Sequence, residues 1–295
     1  MVTSTTPQLF VKTPQYIEEA TEGITPGTPT FLTCGPVKSL SIMIDGKWID
    51  VSQIGSEDLI SIIQGLTEYQ LKMKTSLLAS STFIKYSINA ANPGTPAGTI
   101  SVSLAIIWSV YLNNVENFII ANGARAKTFA LTMEKGKADE VDIEFECTGI
   151  ATPSSTGPSG ASYASTPTGT TLGHLDGGST PVSIGGSGIL AQKITINVNR
   201  NTTPDYVLGQ SAPVSTKPHG RRITGTIDVL WTNTTQEAAM KTPTIANIVV
   251  VLKTSGTTIT MANAAIKTYK RESSSDDTDS IVEGLGFGAP TISSS

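Results

Sequence analysis

One pattern limits what this chain can fold into more than any other: the same succession of alternating segments is written twice. Leu40-Ser-Ile-Met-Ile-Asp45, Ile54-Gly55 and Tyr69-Gln-Leu-Lys-Met-Lys-Thr-Ser-Leu77 come first. Ile194-Thr-Ile-Asn-Val-Asn199, Leu208-Gly209 and Ile223-Thr-Gly-Thr-Ile-Asp-Val-Leu-Trp231 follow. The spacing is constant, since 194 − 40, 208 − 54 and 223 − 69 all equal 154. Each copy reads strand, apolar-Gly corner, strand, because an apolar side chain at every second position suits a half-buried pleated strand. Identity between the copies is low, so pattern rather than sequence repeats. A duplicated β unit predicts paired domains or a ring of repeats, which points to assembly before chemistry.

The 295 residues have room for two ordinary domains. The chain is rich in Ser and Thr, and its apolar fraction is 38%. Charged residues make up 15%, with a net charge of −4. That balance excludes a basic groove gripping nucleic acid, which needs clustered Lys and Arg. It is compatible with a weakly negative wall past which DNA slides. The two cysteines, Cys34 and Cys147, read as buried free thiols, with one bridge open only if the fold brings them together. The opening Met-Val-Thr-Ser-Thr-Thr-Pro has no basic n-region or apolar h-region, and no stretch reaches membrane-span length. Folding in the cytoplasm is the expectation.

Along the chain, residues 1–33 read as an extended arm, since Gly23-Ile-Thr-Pro-Gly-Thr-Pro-Thr-Phe31 cannot sustain a helix. A first β module spans 34–150. In it Asp45-Gly46 signals a tight turn, and Trp48-Ile49-Asp50-Val51 starts a return strand. Ser56-Glu57-Asp58 before Leu59–Ile63 fits a capped short helix or a strand. Residues 68–78 and 82–88 alternate, and 99–112 is a long strand or a strand entering a short helix. Phe118–Gly123 turns into Lys127–Met133. Val141, Ile143, Phe145 and Cys147 form one face of a closing strand, with acids on the other. Residues 151–188 are dominated by Ser, Thr, Gly and Pro and read as a linker or surface loop. A second module spans 189–290, with a short helix at 236–241, a hairpin about Ser255-Gly256, a strand over 264–271 and an acidic loop at 273–280. Residues 291–295 are a tail. The expected fold is all-β with one or two short helices: two tandem sandwich or open-barrel modules.

Candidate chemistry is sparse. His174 and His219 lack partners at ligand spacing, and Gly284-Leu-Gly-Phe-Gly288 opens no helix, so it reads as close packing in a closing strand. No catalytic, metal or cofactor site is expected. Arg221-Arg222 is the densest basic spot. It fits an inter-subunit salt bridge to an acidic loop such as 276–279, or a solvated strand start.

Four segments in order carry a resemblance. Asn199-Arg-Asn-Thr-Thr-Pro-Asp-Tyr-Val-Leu-Gly209 and Gly220-Arg-Arg-Ile-Thr-Gly-Thr-Ile227 resemble the second half of tail tube proteins of tailed viruses, bacterial or archaeal. Glu18–Phe31 is similar to their opening segment, and Asp277–Phe287 to their final acidic loop and strand. The resemblance implies a non-enzymatic virion protein whose rings join their sheets into one barrel and stack into a DNA-conducting tube. Implied partners are further copies of the chain, in rings of three (pseudo-sixfold) or six, together with tape measure, tail terminator and baseplate or tip proteins. DNA passes without specific binding, and assembly takes place in the host cytoplasm. The candidate assembly residues are Glu18, Glu19, Asp205, Arg221, Arg222, Asp276 and Asp277. Competing readings are the inner tube of a contractile injection system and a surface adhesin or carbohydrate-binding sandwich.

Overall fold

The computed structural model describes residues 12–51, 61–77, 86, 88, 103–112, 114–165, 171–173, 178–230, 245–252, 258–272 and 282–294. In the first half the strands are β1 (Lys12–Glu18), β2 (Leu32–Thr33), β3 (Val37–Val51), β4 (Ser61–Ser76), β5 (Leu104–Leu112), β6 (Val115–Glu134), β7 (Glu140–Cys147) and β8 (Gly149–Ile150). Next come β9 (Val182–Ile184), β10 (Ser187–Ile189), β11 (Ala191–Asn199), β12 (Thr203–Asp205), β13 (Ser215–Lys217) and β14 (Arg222–Leu230). The chain ends with β15 (Ile245–Val251), β16 (Thr258–Glu272), β17 (Val282–Ala289) and β18 (Thr291–Ser294). The fold is all-β, as alternation requires. In β7 the Val141, Ile143, Phe145 and Cys147 face is buried.

The repeat is a repeat of topology. Antiparallel neighbours run β3-β4-β7-β6-β5 in the first copy and β11-β14-β17-β16-β15 in the second. Leu40 pairs with Met73, and 154 residues later Ile194 pairs with Ile227. The irregularities repeat too. The β6–β7 register shifts between Ala126 and Thr128, and β16–β17 shifts between Ile266 and Thr268. The β5–β6 shift between Leu104 and Ile106 has its twin between Ala246 and Ile248 in β15–β16. Gly123 (φ 60°) and Asn263 (φ 53°) occupy equivalent left-handed bends. Bulges of this kind re-aim a strand, so their repetition marks the same designed bend in both copies.

The copies share one sheet. The second edge of β6 binds β11, with Asn197 opposite Ala130 and Val198 opposite Phe129, so the order β3-β4-β7-β6-β11-β14-β17-β16 is unbroken. Leu71, Ile143, Phe129, Ile196, Ile227 and Leu285 all point from this sheet into one core. β5 and β15 contribute Leu104, Ile106, Trp108, Ile248 and Val250 to that core, as a second layer over the apolar face. Cys34 and Cys147 lie free in it, and burial pushes both thiols up.

Several local expectations are overturned. Asp45-Gly46 is no hairpin turn: Gly46 lacks a positive φ, and β3 runs through it with a bulge between Gly46 and Trp48. Gly65 accommodates that bulge, since a Cβ there would lie 2.1 Å from the Lys47 carbonyl oxygen. Phe118–Met133 does not turn, because β6 is continuous and bends at Gly123 and the Lys127 bulge. Tyr86 and Ile88, read as part of an alternating strand, are helical. The tail at 291–294 is strand β18 on β16. Two expectations hold: Ser61–Ile63 takes the strand alternative, at the start of β4, and residues 264–271 are strand, within the longer β16. Residues 52–60, the helix at 236–241 and the turn at Ser255-Gly256 lie outside the described residues.

Residues 12–33 are extended but lie on their own chain. β1 pairs with β5, and Tyr16 and Phe31 are buried. The described parts of the charge-poor stretch, 151–165, 171–173 and 178–188, are likewise laid on the body. Tyr163 stacks between Phe31 and Phe118 at 5.7 and 5.5 Å. Leu172 is buried beside Leu77, whose carbonyl accepts its N–H at 2.8 Å. β9 extends the sheet beside β15. A few apolar anchors in a Ser/Thr/Gly-rich segment are enough to fix it.

Candidate assembly surfaces

The continuous sheet has an open edge at each end among the described residues. β3 has β4 on one side only. β16 has β17 against residues 265–272, while β15 and β18 bind its earlier half at residues 258–265. An open edge presents unpaired N–H and C=O groups and is a ready template for another strand. The distal half of the β3–β4 hairpin is apolar as well as open. Ile42, Met43, Ile44, Trp48, Ile49, Ile62, Ile63 and Leu66 are all exposed, Trp48 by 63%. Ile42 and Ile44 are 40% and 56% exposed, whereas their equivalents in β11, Ile196 and Val198, are 0% and 1% exposed.

The continuous sheet's other face is polar, and it carries charge only in places. In the first copy Lys74 pairs with Glu140 at 2.8 Å and Lys72 with Glu144 at 3.5 Å. Lys127 reaches Glu146 at 3.1 Å and Glu144 at 3.6 Å, and Lys38 also binds Glu140. Hydrogen bonds from Lys38 and Lys74 hold the Glu140 carboxyl down at about 2. Burial works against charge on Lys127, but Glu146 and Glu144 outweigh it and its pKa rises. Because the folded pKa of Glu140 is depressed, the stabilisation is present at neutral pH. It fades as pH falls from the ordinary carboxylate range toward 2. Glu140→Gln is therefore expected to flatten the acid limb of stability in that window. The check is thermal unfolding from pH 5 to pH 2; an unchanged pH dependence would reject the pairing.

The residues singled out by sequence fall into different places. Glu19 is buried and accepts the N–H groups of Gly23 (2.9 Å) and Gly123 (3.0 Å). Glu18 accepts the Tyr86 hydroxyl. Asp205 pairs with Lys217, which lowers its pKa, and accepts Ser215 Oγ at 3.4 Å. Half-buried Arg221 donates to the Ile88 carbonyl at 3.1 Å, and Arg222 is exposed at the start of β14. Asp276 and Asp277 lie outside the described residues. The structure thus brings Glu19 to the β6 bend but leaves Glu18, Asp205 and Arg222 apart.

Sequence reasoning missed Glu22. It binds Arg125 at 2.8 Å and accepts both the N–H (2.6 Å) and the Oγ1 (2.9 Å) of Thr216, tying the arm and the 200–221 segment to β6. That segment also docks on β4, where Tyr206 donates to the Thr67 carbonyl at 2.9 Å. Its chemistry is ordinary capping of strand ends, so no motif announces it.

An all-β subunit with two open edges, an apolar projecting hairpin and a broad polar face belongs to the class of structural proteins built for repetitive assembly. A family model for phage tail tube proteins matches residues 14–288. The chain belongs to the phage tail tube protein family, and its role is that of a structural tail tube component of the virion. The family implies self-assembly into stacked tube rings. No curated protein matches the chain.

Proposed function

We propose that three of these chains close each ring of the tube, and that β16 of one chain pairs with β3 of the next. Each chain supplies two tail-tube modules, 34–150 and 189–290, so with each module as one sixth of a ring three chains close a pseudo-sixfold ring. The supporting observation is that the junction already exists once inside the chain. β11 binds β6 there, and the exposed Ile42 and Ile44 of β3 match the buried Ile196 and Val198 of β11. Repeating that junction between chains buries the exposed pair and closes both ends of the continuous sheet, which turns an aggregation liability into ring closure.

The duplication fixes the register. Asn197 lies opposite Ala130 at the internal junction. Met43 is the equivalent of Asn197, and Lys270 follows the β16 bulge as Ala130 follows that of β6. Met43 therefore faces Lys270 across the seam, and Ile44 faces Tyr269. Rings stack into a tube, with tape measure, tail terminator and baseplate or tip proteins at its lumen and ends, and assembly takes place in the host cytoplasm. No catalytic role is assigned. DNA passes through the tube without specific binding.

The test is oxidative cross-linking of assembled Met43→Cys/Lys270→Cys protein, in which the buried native thiols stay silent. The expected product is a ladder ending at three chains. A ladder running past three rejects the three-chain ring. Tubes without cross-links at 43/270, but with them at a shifted pair such as Met43 and Thr268, reject the register.

A further inference from the structure

Resting on the tube reading, we infer that the tube lumen alternates between ion-paired and sparsely charged sectors. We further infer that the acids of the paired sector are there to keep its lysines from the phosphates of passing DNA. The covered, apolar face of the continuous sheet carries β5, β1, β15 and β9 as an added layer. An added layer needs the larger circumference and lies outside. The polar face then lines the channel.

Cross-strand register lays that face out in rows. One runs Ser41, Lys72, Glu144, Thr128, Asn199, Arg222. The next runs Ser39, Lys74, Asp142, Ala130, Asn197, Thr224, Gly288. A third runs Glu140, Thr132, Thr195, Thr226, Gly286, Thr268. Charge is thus concentrated in the first copy; the central rows of the second hold Thr, Asn and Gly, with the exposed Lys267 of the β16 bulge lying over Gly288. Toward one end, Glu134 pairs with Lys193 at 3.7 Å, and Asp228 and Lys270 flank Gly284. At the other end Arg222 stands exposed. In a ring of three, three densely charged sectors alternate with three sparsely charged ones.

The pairing matters because DNA is held by lysines that displace its counterions. One weak contact is negligible, but contacts repeated ring after ring along a tube act together and would arrest a sliding strand. Lys38, Lys72, Lys74 and Lys127 are each held by a carboxylate on the same face, within a few ångströms and well inside the screening length. Their partners neutralise them before DNA arrives. The remaining sectors are only sparsely charged, with Lys267 and Arg222 exposed on them.

The test uses assembled tubes and a short fluorescent DNA duplex, with a second duplex blocked at both ends by a bulky protein to report binding outside the channel. Glu140→Gln/Glu144→Gln tubes are expected to retain the open duplex at low salt about tenfold more than wild type, and to release it at high salt. Adding Lys72→Gln and Lys74→Gln should remove the gain. Should the acid variants fail to assemble, Asn197→Lys/Thr226→Lys places unpaired lysines in the sparsely charged sector and is expected to give the same gain. Tubes that show no gain in either variant overturn the inference, as does a gain that survives loss of the lysines or appears equally with the blocked duplex. A wild-type chain that forms no tubes speaks instead against the tube reading.

Discussion

Ile42→Pro is expected to yield a folded, soluble monomer that never forms rings. Backbone groups on a strand alternate sides, and Arg200 N–H, one residue beyond β11, donates to the Lys127 carbonyl on β6 at 2.9 Å. Counting back along β11, the N–H of Ile196 and Val198 also points at β6, so that of their equivalents Ile42 and Ile44 points away from β4. Proline at 42 therefore removes an outward donor and sets its ring against the approaching strand, while the bonds of Ser41 and Met43 to β4 survive. Each lost hydrogen bond is worth about 1 kcal/mol, but the steric block stops the neighbouring bonds from forming as well. Size-exclusion chromatography with light scattering should find one chain, and electron microscopy no tubes. The melting temperature should stay within a few degrees of the wild-type monomer. Tubes of normal length from this variant would show that β3 is not the closing edge.

Much of this architecture is legible in the sequence. Alternation writes a strand and the side that is buried, and the constant spacing of 154 carried the pairing of Leu40 with Met73 over to Ile194 with Ile227. Turn signals were less informative. Asp45-Gly46 has the residues of a tight turn, yet a bulge opposite Gly65 absorbs it, because β4 stays paired to β3 on both sides of it, from Val37 to Val51. The arm and the 151–188 stretch look unanchored by composition, but Tyr16, Phe31, Tyr163 and Leu172 fix them, and single apolar residues leave no periodic mark. The candidate assembly residues were chosen for charge. Glu19 proved to be a buried bond to the β6 bend, and the open edges are made of backbone, which no residue type advertises. The legible clue was that Ile42 and Ile44 alternate just as the buried Ile196 and Val198 do.

Gly225→Ala is expected to be a strongly destabilising single-methyl addition, because it strikes both a ring and a strand backbone. Gly225 lies on β14 between Ile196 of β11 and Phe287 of β17. Its first-copy equivalent is Leu71, a fully buried side chain. In the second copy the Phe287 ring takes up that space, and it too is buried. A Cβ on residue 225 would lie 2.3 Å from the ring and 2.3 Å from the Thr195 carbonyl oxygen. The ring can rotate, but the carbonyl is part of the β11 ladder and moves only with its strand. Overpacking of this kind costs about 3 kcal/mol, at the upper end of what one inserted methyl does. For a chain of this size that corresponds to a fall in melting temperature of roughly 6–12 °C. Phe287→Leu in the same chain should recover part of the loss by freeing the ring's space, while the carbonyl clash keeps recovery incomplete. Calorimetry of the single and double variants measures both terms, and a single variant within about 1 kcal/mol of wild type would contradict the close packing of β14 against β11 and β17. The residues on either side, Thr224 and Thr226, face the channel, so a strand displaced to admit the methyl also disturbs the sparsely charged sector.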